Sequence, residues 1–186
     1  MEDEWKTMTK TQHPWQLGPT ELIEFALERM HKGGDFDRRL AFLILDVGVE
    51  TLFKTYLTLP DGVTQFQTKR GERHTAAEGN FHELLRGVQV ASPLKASKFN
   101  FAYLEHYHNL RNTLYHQGNQ VTAVPMNQLE GYARLAVEIL HEYLEVDLSV
   151  NLNPPEPVIK TGDDPVLDSV EVGVSFGRFR IERLKS

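Results

Sequence analysis

Between Leu40 and Leu45 the chain reads Leu-Ala-Phe-Leu-Ile-Leu, inside a helical pattern that runs from about Asp37 to Leu57. A helix with almost no polar face cannot lie on a surface, so it must be surrounded by other elements. Pro60-Asp61-Gly62 ends it with turn chemistry. The apolar run is far short of the roughly 20 residues that span a bilayer, so what surrounds the helix is protein. A bundle packed round residues 37–57 is the expected fold.

The neighbours of that helix can be read on either side of it. Pro19-Thr20-Glu21 is a good helix start, and Leu22, Ile23, Ala26, Leu27 and Met30 follow at helical spacing until Gly33-Gly34. Residues 61–75 read as a loop holding Lys69-Arg70-Gly71-Glu72-Arg73-His74. A short helix over about 76–90 carries Phe81, Leu84, Leu85 and Val88. A long one over about 97–116 has Phe99, Tyr103, Tyr107, Leu110 and Leu114 as one stripe. That stripe would leave Phe101 and Leu104 available for contact with another molecule. Pro125 opens a last helix to about Leu148, with Leu129, Tyr132, Ala133, Ala136, Leu140, Tyr143 and Leu144 inward.

The fold class is therefore all-α, with four long helices and one short. Residues 1–19 read as a lead-in, 20–148 as the helical domain, and 149–186 as an arm. The arm holds four of the nine prolines, at 154, 155, 157 and 165. Beyond them Val170, Val172, Val174 and Phe176 alternate with polar residues, as do Phe179 and Ile181, the pattern of a short β-hairpin. A lone hairpin is marginal in water, so it would dock on the body or on a neighbour.

Composition narrows the function classes. The net charge is −6 over 186 residues, which is not the broad basic surface of a non-specific nucleic-acid coat. With no cysteine there is no disulfide framework, thiolate metal site or cysteine nucleophile. The start, Met1-Glu2-Asp3-Glu4-Trp5-Lys6, has no apolar stretch of the signal-peptide kind. A soluble cytoplasmic protein without membrane contact is expected.

The densest chemistry lies at Arg111-Asn112-Thr113-Leu114-Tyr115-His116, followed by Gln117-Gly118. Arg111 and His116 are five apart, ~140° in azimuth on an ideal helix. Asn112 and His116 share a face. Arg offers a fixed fork of donors to a phosphate. Histidine moves a proton near neutral pH, and an amide orients a phosphate or ribose hydroxyl. Without a metal, such a set can turn the 2′-hydroxyl of RNA on its own phosphate, leaving a 2′,3′-cyclic end. The plain alternative is a surface ion pair at Arg111 and a helix-end histidine favoured by the dipole.

Arg111-Asn112-(three residues)-His116, late in a small all-α domain, resembles the motif of the HEPN superfamily: Arg, four to six residues, then His, often with a polar residue straight after the Arg. The resemblance covers roughly residues 20–148, and Leu40–Leu57 looks like that family's second helix. It implies metal-independent endoribonuclease activity with Arg111, Asn112 and His116 as catalytic set and no cofactor. It also implies RNA as substrate, a site shared in a homodimer, and a partner such as an antitoxin or a defence-system protein. Inactive members bind nucleotide or a protein partner instead, and that is the alternative here. Members modified on a tyrosine two residues after the His have Tyr where this chain has Gly118. Tyr115 precedes the His, so that form of control is not implied.

Supporting residues can be named too. Asp46, Glu50 and Lys54 stand at i, i+4 and i+8, a polar stripe on the most apolar helix. If buried, the acids need a cation, and Arg111 is the economical choice, held beside His116. Lys69, Arg70 and Arg73 could follow an RNA backbone. A rival class is a carboxylate di-iron bundle, since Glu28/His31, Glu105/His108 and Glu138/His141 have Glu-x-x-His spacing. Glu105 and Glu138 point away from the stripes assigned to the core, so no metal site is expected.

Overall fold

The structure, a computed structural model, describes residues 13–116, 124–150 and 181–183. Its helices are α1 (Pro14–Lys32), α2 (Asp35–Thr58), α3 (Arg70–Glu78), α4 (Phe81–Ala91), α5 (Pro93–Ala96), α6 (Phe101–His116) and α7 (Met126–Leu144). Two short strands, β1 (Leu148–Val150) and β2 (Ile181–Arg183), pair antiparallel with Val150 opposite Ile181. Of the hairpin expected over Val170–Ile181, residues 170–180 lie outside the described residues, and Ile181 is in β2 opposite Val150. No helix among the described residues is long and apolar enough to cross a membrane.

α2 is the axis of the bundle. Ala41, Phe42, Leu45, Val49, Leu52, Phe53, Tyr56 and Leu57 are all fully buried. α1 packs along it, and a Cβ on Gly48 would meet Ile23 Cγ1 at 3.0 Å, so the small residue sets how closely the two helices approach. α7 closes the other side with the full stripe read from its sequence, Leu129 to Leu144. Tyr132 stacks on Tyr107 (4.4 Å between centroids) and tilts against Phe42 (5.3 Å), joining α7, α6 and α2 in one aromatic cluster.

α1 starts at Pro14, a turn and a half before the signal at Pro19. Two contacts hold the extra turns. The Gln16 side-chain amide donates to the Leu144 carbonyl at 2.6 Å, and the Thr20 hydroxyl donates to the Gln16 carbonyl at 2.6 Å. Gly33, at φ 75°, then ends the helix in the left-handed conformation that glycine adopts without strain.

The stretch expected as one loop over 61–75 and one short helix over about 76–90 holds two helices, α3 and α4. Asn80 accepts from the Glu83 backbone N–H while the Glu83 carboxylate accepts from that of Asn80, a capping box that starts α4 afresh after Gly79. Lys69 to His74 is not a loop: α3 begins at Arg70. Arg73 corrects the basic-patch expectation outright. It is 2% exposed, its Nε donates to the Leu57 carbonyl, and its terminal nitrogens reach the Thr68 and Leu59 carbonyls and Asp61 Oδ1. Its guanidinium lies 3.8 Å over the Phe66 ring. Arg73 therefore caps the carbonyl end of α2, which has no basic residue in its own last turn, and has no face to offer RNA. Arg73→Met keeps the aliphatic bulk but leaves the buried Leu57 and Leu59 carbonyls without their donor, and should cost about 2–3 kcal/mol in a denaturant melt.

α6 departs from the stripe read in its sequence. Tyr103 is 58% exposed, whereas Phe101 and Leu104 are buried at 8% and 0%. Those two residues pack inside the chain, with Phe101 stacked near Phe53, so they are not surface for a second copy. The helix is rotated from the expected orientation, and the rotation carries His108 and Arg111 inward.

Candidate functional site: a buried aspartate under Arg111

Asp46 lies on the buried length of α2 and is 0% exposed. A lone carboxylate there would be strongly unfavourable, so its partners define the site. Arg111 Nε donates to Oδ2 at 2.7 Å. His108 Nδ1 stands 3.0 Å from Oδ2 and 3.3 Å from Oδ1. The Tyr132 hydroxyl donates to Oδ1 at 2.9 Å. Three helices thus meet on one carboxylate.

The electrostatics follow from those contacts. Burial pushes the Asp46 carboxyl up, but hydrogen bonds and charge from His108, with hydrogen bonds from Arg111 and Tyr132, outweigh it and hold the group below its usual range. Asp46 is therefore ionised and accepts only, so His108 Nδ1 and the Tyr132 hydroxyl are the donors. Burial first, and then the Asp46 charge, keep the Tyr132 phenol far above its ordinary value.

Arg111 is oriented but not used up. Besides the Nε bond, one terminal nitrogen donates to Asn112 Oδ1 at 2.9 Å, and the other is 3.7 Å from Glu50 Oε2. Its side chain is 23% exposed. A guanidinium carries five N–H donors, so its outer edge keeps some for a ligand. Asn112, with its oxygen engaged, keeps its NH₂ group. Glu50 also accepts from Lys54 Nζ at 2.6 Å, so Asp46 and Glu50 meet α6 directly and Lys54 joins them through Glu50.

The structure thus brings Asp46, Glu50, Lys54, Arg111 and Asn112 together. Tyr115 and His116 end α6, their side chains lying outside the described set. Lys69 and Arg70 are exposed at the start of α3, where Arg70 Nε is 3.4 Å from His74 Nε2. The Glu-x-x-His pairs do not converge: Glu105 meets His82 at 2.7 Å, His108 turns to Asp46, and His141 turns to Asp147. Among the described residues no group of three or more His, Asp or Glu could hold a metal ion.

Two members of the site lie outside the motif. His108 is three residues before Arg111 and therefore on its face of the helix, a spacing that could have flagged it. Tyr132 reads as plain core, since a hydroxyl on an apolar stripe carries no signal of its own. Compared with family models, with curated proteins and with solved structures, the chain has no significant match. The HEPN resemblance accordingly stands on the motif and the helical setting.

Proposed function

We propose that the chain is a metal-independent endoribonuclease of HEPN type, acting on RNA in a two-fold dimer. One observation carries this reading: Arg111 is fixed by Asp46 and Asn112, yet its side chain stays 23% exposed and its five N–H donors outnumber the hydrogen bonds it makes among the described residues. A guanidinium held in that way binds a phosphate without first losing its own conformational freedom. In the proposed reaction Arg111 faces the charge that grows on the phosphate oxygens. Asn112 orients the phosphate through its NH₂ group, and His116 transfers protons. A cytoplasmic setting with an antitoxin or defence-system partner belongs to the same proposal.

A mixed pool of RNA transcripts incubated with the protein in EDTA tests it. Cleavage that leaves 2′,3′-cyclic phosphate and 5′-hydroxyl ends is the expected result. Intact RNA, or cleavage that chelation abolishes, counts against it.

A second reading has its own support. Arg111 stands within ion-pair distance of two carboxylates, Asp46 at 2.7 Å and Glu50 at 3.7 Å. Two acids beside one Arg weaken its pull on a phosphate. On that account the chain is an inactive HEPN module in which Asp46 and Arg111 lock α2 to α6, and a nucleotide or a protein partner binds without being cleaved. Light scattering addresses the dimer: a species of twice the chain mass at micromolar concentration is expected, and a monomer there would contradict a shared site.

A further inference from the structure

His108 stands outside the Arg-Asn-x-x-x-His motif and has no role in the reaction as written above. It and Arg111 bond the same oxygen, Asp46 Oδ2, at 3.0 and 2.7 Å, so imidazole and guanidinium are neighbours across one atom. Nδ1 carries the hydrogen, because an ionised carboxylate can only accept; in the neutral ring the lone pair is then at Nε2. The ring is also fixed in plane. It lies flat on Phe81, 3.9 Å between centroids and 6° from parallel. The side chain is 17% exposed and lines a cleft of about 350 Å³ with Asn80, Phe81, His82, Glu105 and Asn109.

The charged and titratable groups round this imidazole come from four helices: Asp46 from α2, His82 from α4, Glu105 and Arg111 from α6, and Tyr132 from α7. A carboxylate behind an imidazole fixes its tautomer and stabilises the imidazolium that forms when it takes a proton. Cleavage by the 2′-hydroxyl needs an acceptor at the 2′-oxygen and a donor at the 5′-oxygen, on opposite sides of phosphorus. One imidazole cannot stand in both places within one step, so a second group must take the other role, and in a two-fold dimer that is either the second copy's His116 or a further group of each chain.

We propose that His108, oriented by Asp46, is the general base of the reaction, and that the cleft beside it receives the ribonucleoside whose 2′-hydroxyl attacks. This rests on the ribonuclease reading. Nε2 takes the 2′-hydroxyl proton as the bond from the 2′-oxygen to phosphorus forms. The bond from phosphorus to the 5′-oxygen breaks with its electron pair on that oxygen, which takes a proton from the His116 imidazolium. Asn80, Asn109 and Glu105 supply donors and acceptors for the edge of a base. His108 then returns its proton to water.

Substrates with two leaving groups separate base from acid. A nucleoside 3′-(4-nitrophenyl phosphate) expels a phenolate that needs no proton, so loss of the acid is forgiven and loss of the base is not. His116→Ala should be slowed about 10²–10⁴-fold on RNA and return close to the wild-type rate on the aryl ester. His108→Asn, whose amide can still donate to Asp46, should be slowed about 10²–10⁴-fold on both. Wild-type rates in His108→Asn, or its rescue by the aryl ester, would overturn the proposal while leaving the ribonuclease reading intact. A wild-type protein that cleaves neither substrate overturns both. If His108→Asn does not fold, the ¹⁵N resonances of wild-type His108 decide the matter during titration with nucleoside 3′-monophosphates. Nε2 should shift on saturation, and an Nε2 signal that stays in place would overturn the assignment.

Discussion

Asp46→Ala should cost about 3–5 kcal/mol of folding free energy, because removing one partner of a buried ionic cluster strands the others. Arg111, His108 and the fully buried Tyr132 hydroxyl all bond this carboxylate. Arg111 is part-exposed and has Glu50 as a second partner at 3.7 Å, so the loss should fall toward the lower end of that range. For a chain of this size the melting temperature should drop by roughly 6–20 °C. Asp46→Asn keeps the shape but places an amide N–H₂ against donors, and should recover only part of the loss.

The pH dependence of the wild type gives an independent check on the same residue. The folded state holds the Asp46 carboxyl below its usual range, and the unfolded chain returns it to about 3.9. The folded state therefore binds fewer protons. The contribution of Asp46 is fully present above about pH 4 and is lost as pH falls through the lower folded value. Between wild type and Asp46→Asn, the stability difference should be largest near neutrality and shrink in acid. A difference that is flat down to pH 2 would show that the charge of Asp46 plays no part.

Arg111→Ala and His116→Ala should each reduce RNA cleavage about 10²–10⁴-fold. They differ in what else they disturb. His116 is the last residue of α6, so its replacement should leave the melt unchanged. Arg111→Ala also removes a donor from Asp46, while His108 and Tyr132 remain bonded to it, so some stability is lost with the activity. Arg111→Lys separates the two effects. Lysine restores a cation near Asp46 but not the planar fork that reaches Asn112 as well, so the melt should recover and cleavage should not. Equal cleavage by wild type and all three variants would point to a contaminating nuclease.

How far the fold can be read from sequence differs between helices for physical reasons. α2 and α7 carry one apolar pattern each, and its burial follows directly. α6 carries two patterns at helical spacing. The aromatic one through Tyr103 is the more conspicuous, but Phe101 and Leu104 are the buried pair. A helix rotates to suit its neighbours, here Phe53 on α2 for Phe101, and the sequence of α6 alone does not contain that neighbour.

The site shows the same division. The stripe Asp46, Glu50, Lys54 on an apolar helix points to a need for a cation, and Arg111 meets Asp46 directly. His108 is hidden by its spacing from Glu105, which suggests a metal pair, while its actual partner is 62 residues away. Arg73 is the converse case. Its sequence setting is a basic cluster, but the open carbonyl end of α2 takes it inside. A surface arginine and an interior cap look alike until the helix end they serve is known.

Attack by the 2′-hydroxyl on its own phosphate is the step on which the proposed activity depends, and a single chemical change in the substrate tests it. Cleavage positions are mapped in one transcript in EDTA, and the same transcript is then made with a 2′-O-methyl group on the nucleotide 5′ to one mapped cut. Cleavage should vanish at that position alone and continue at every other. Continued cleavage at the methylated position would contradict the account, because the nucleophile would then not be the hydroxyl of the RNA.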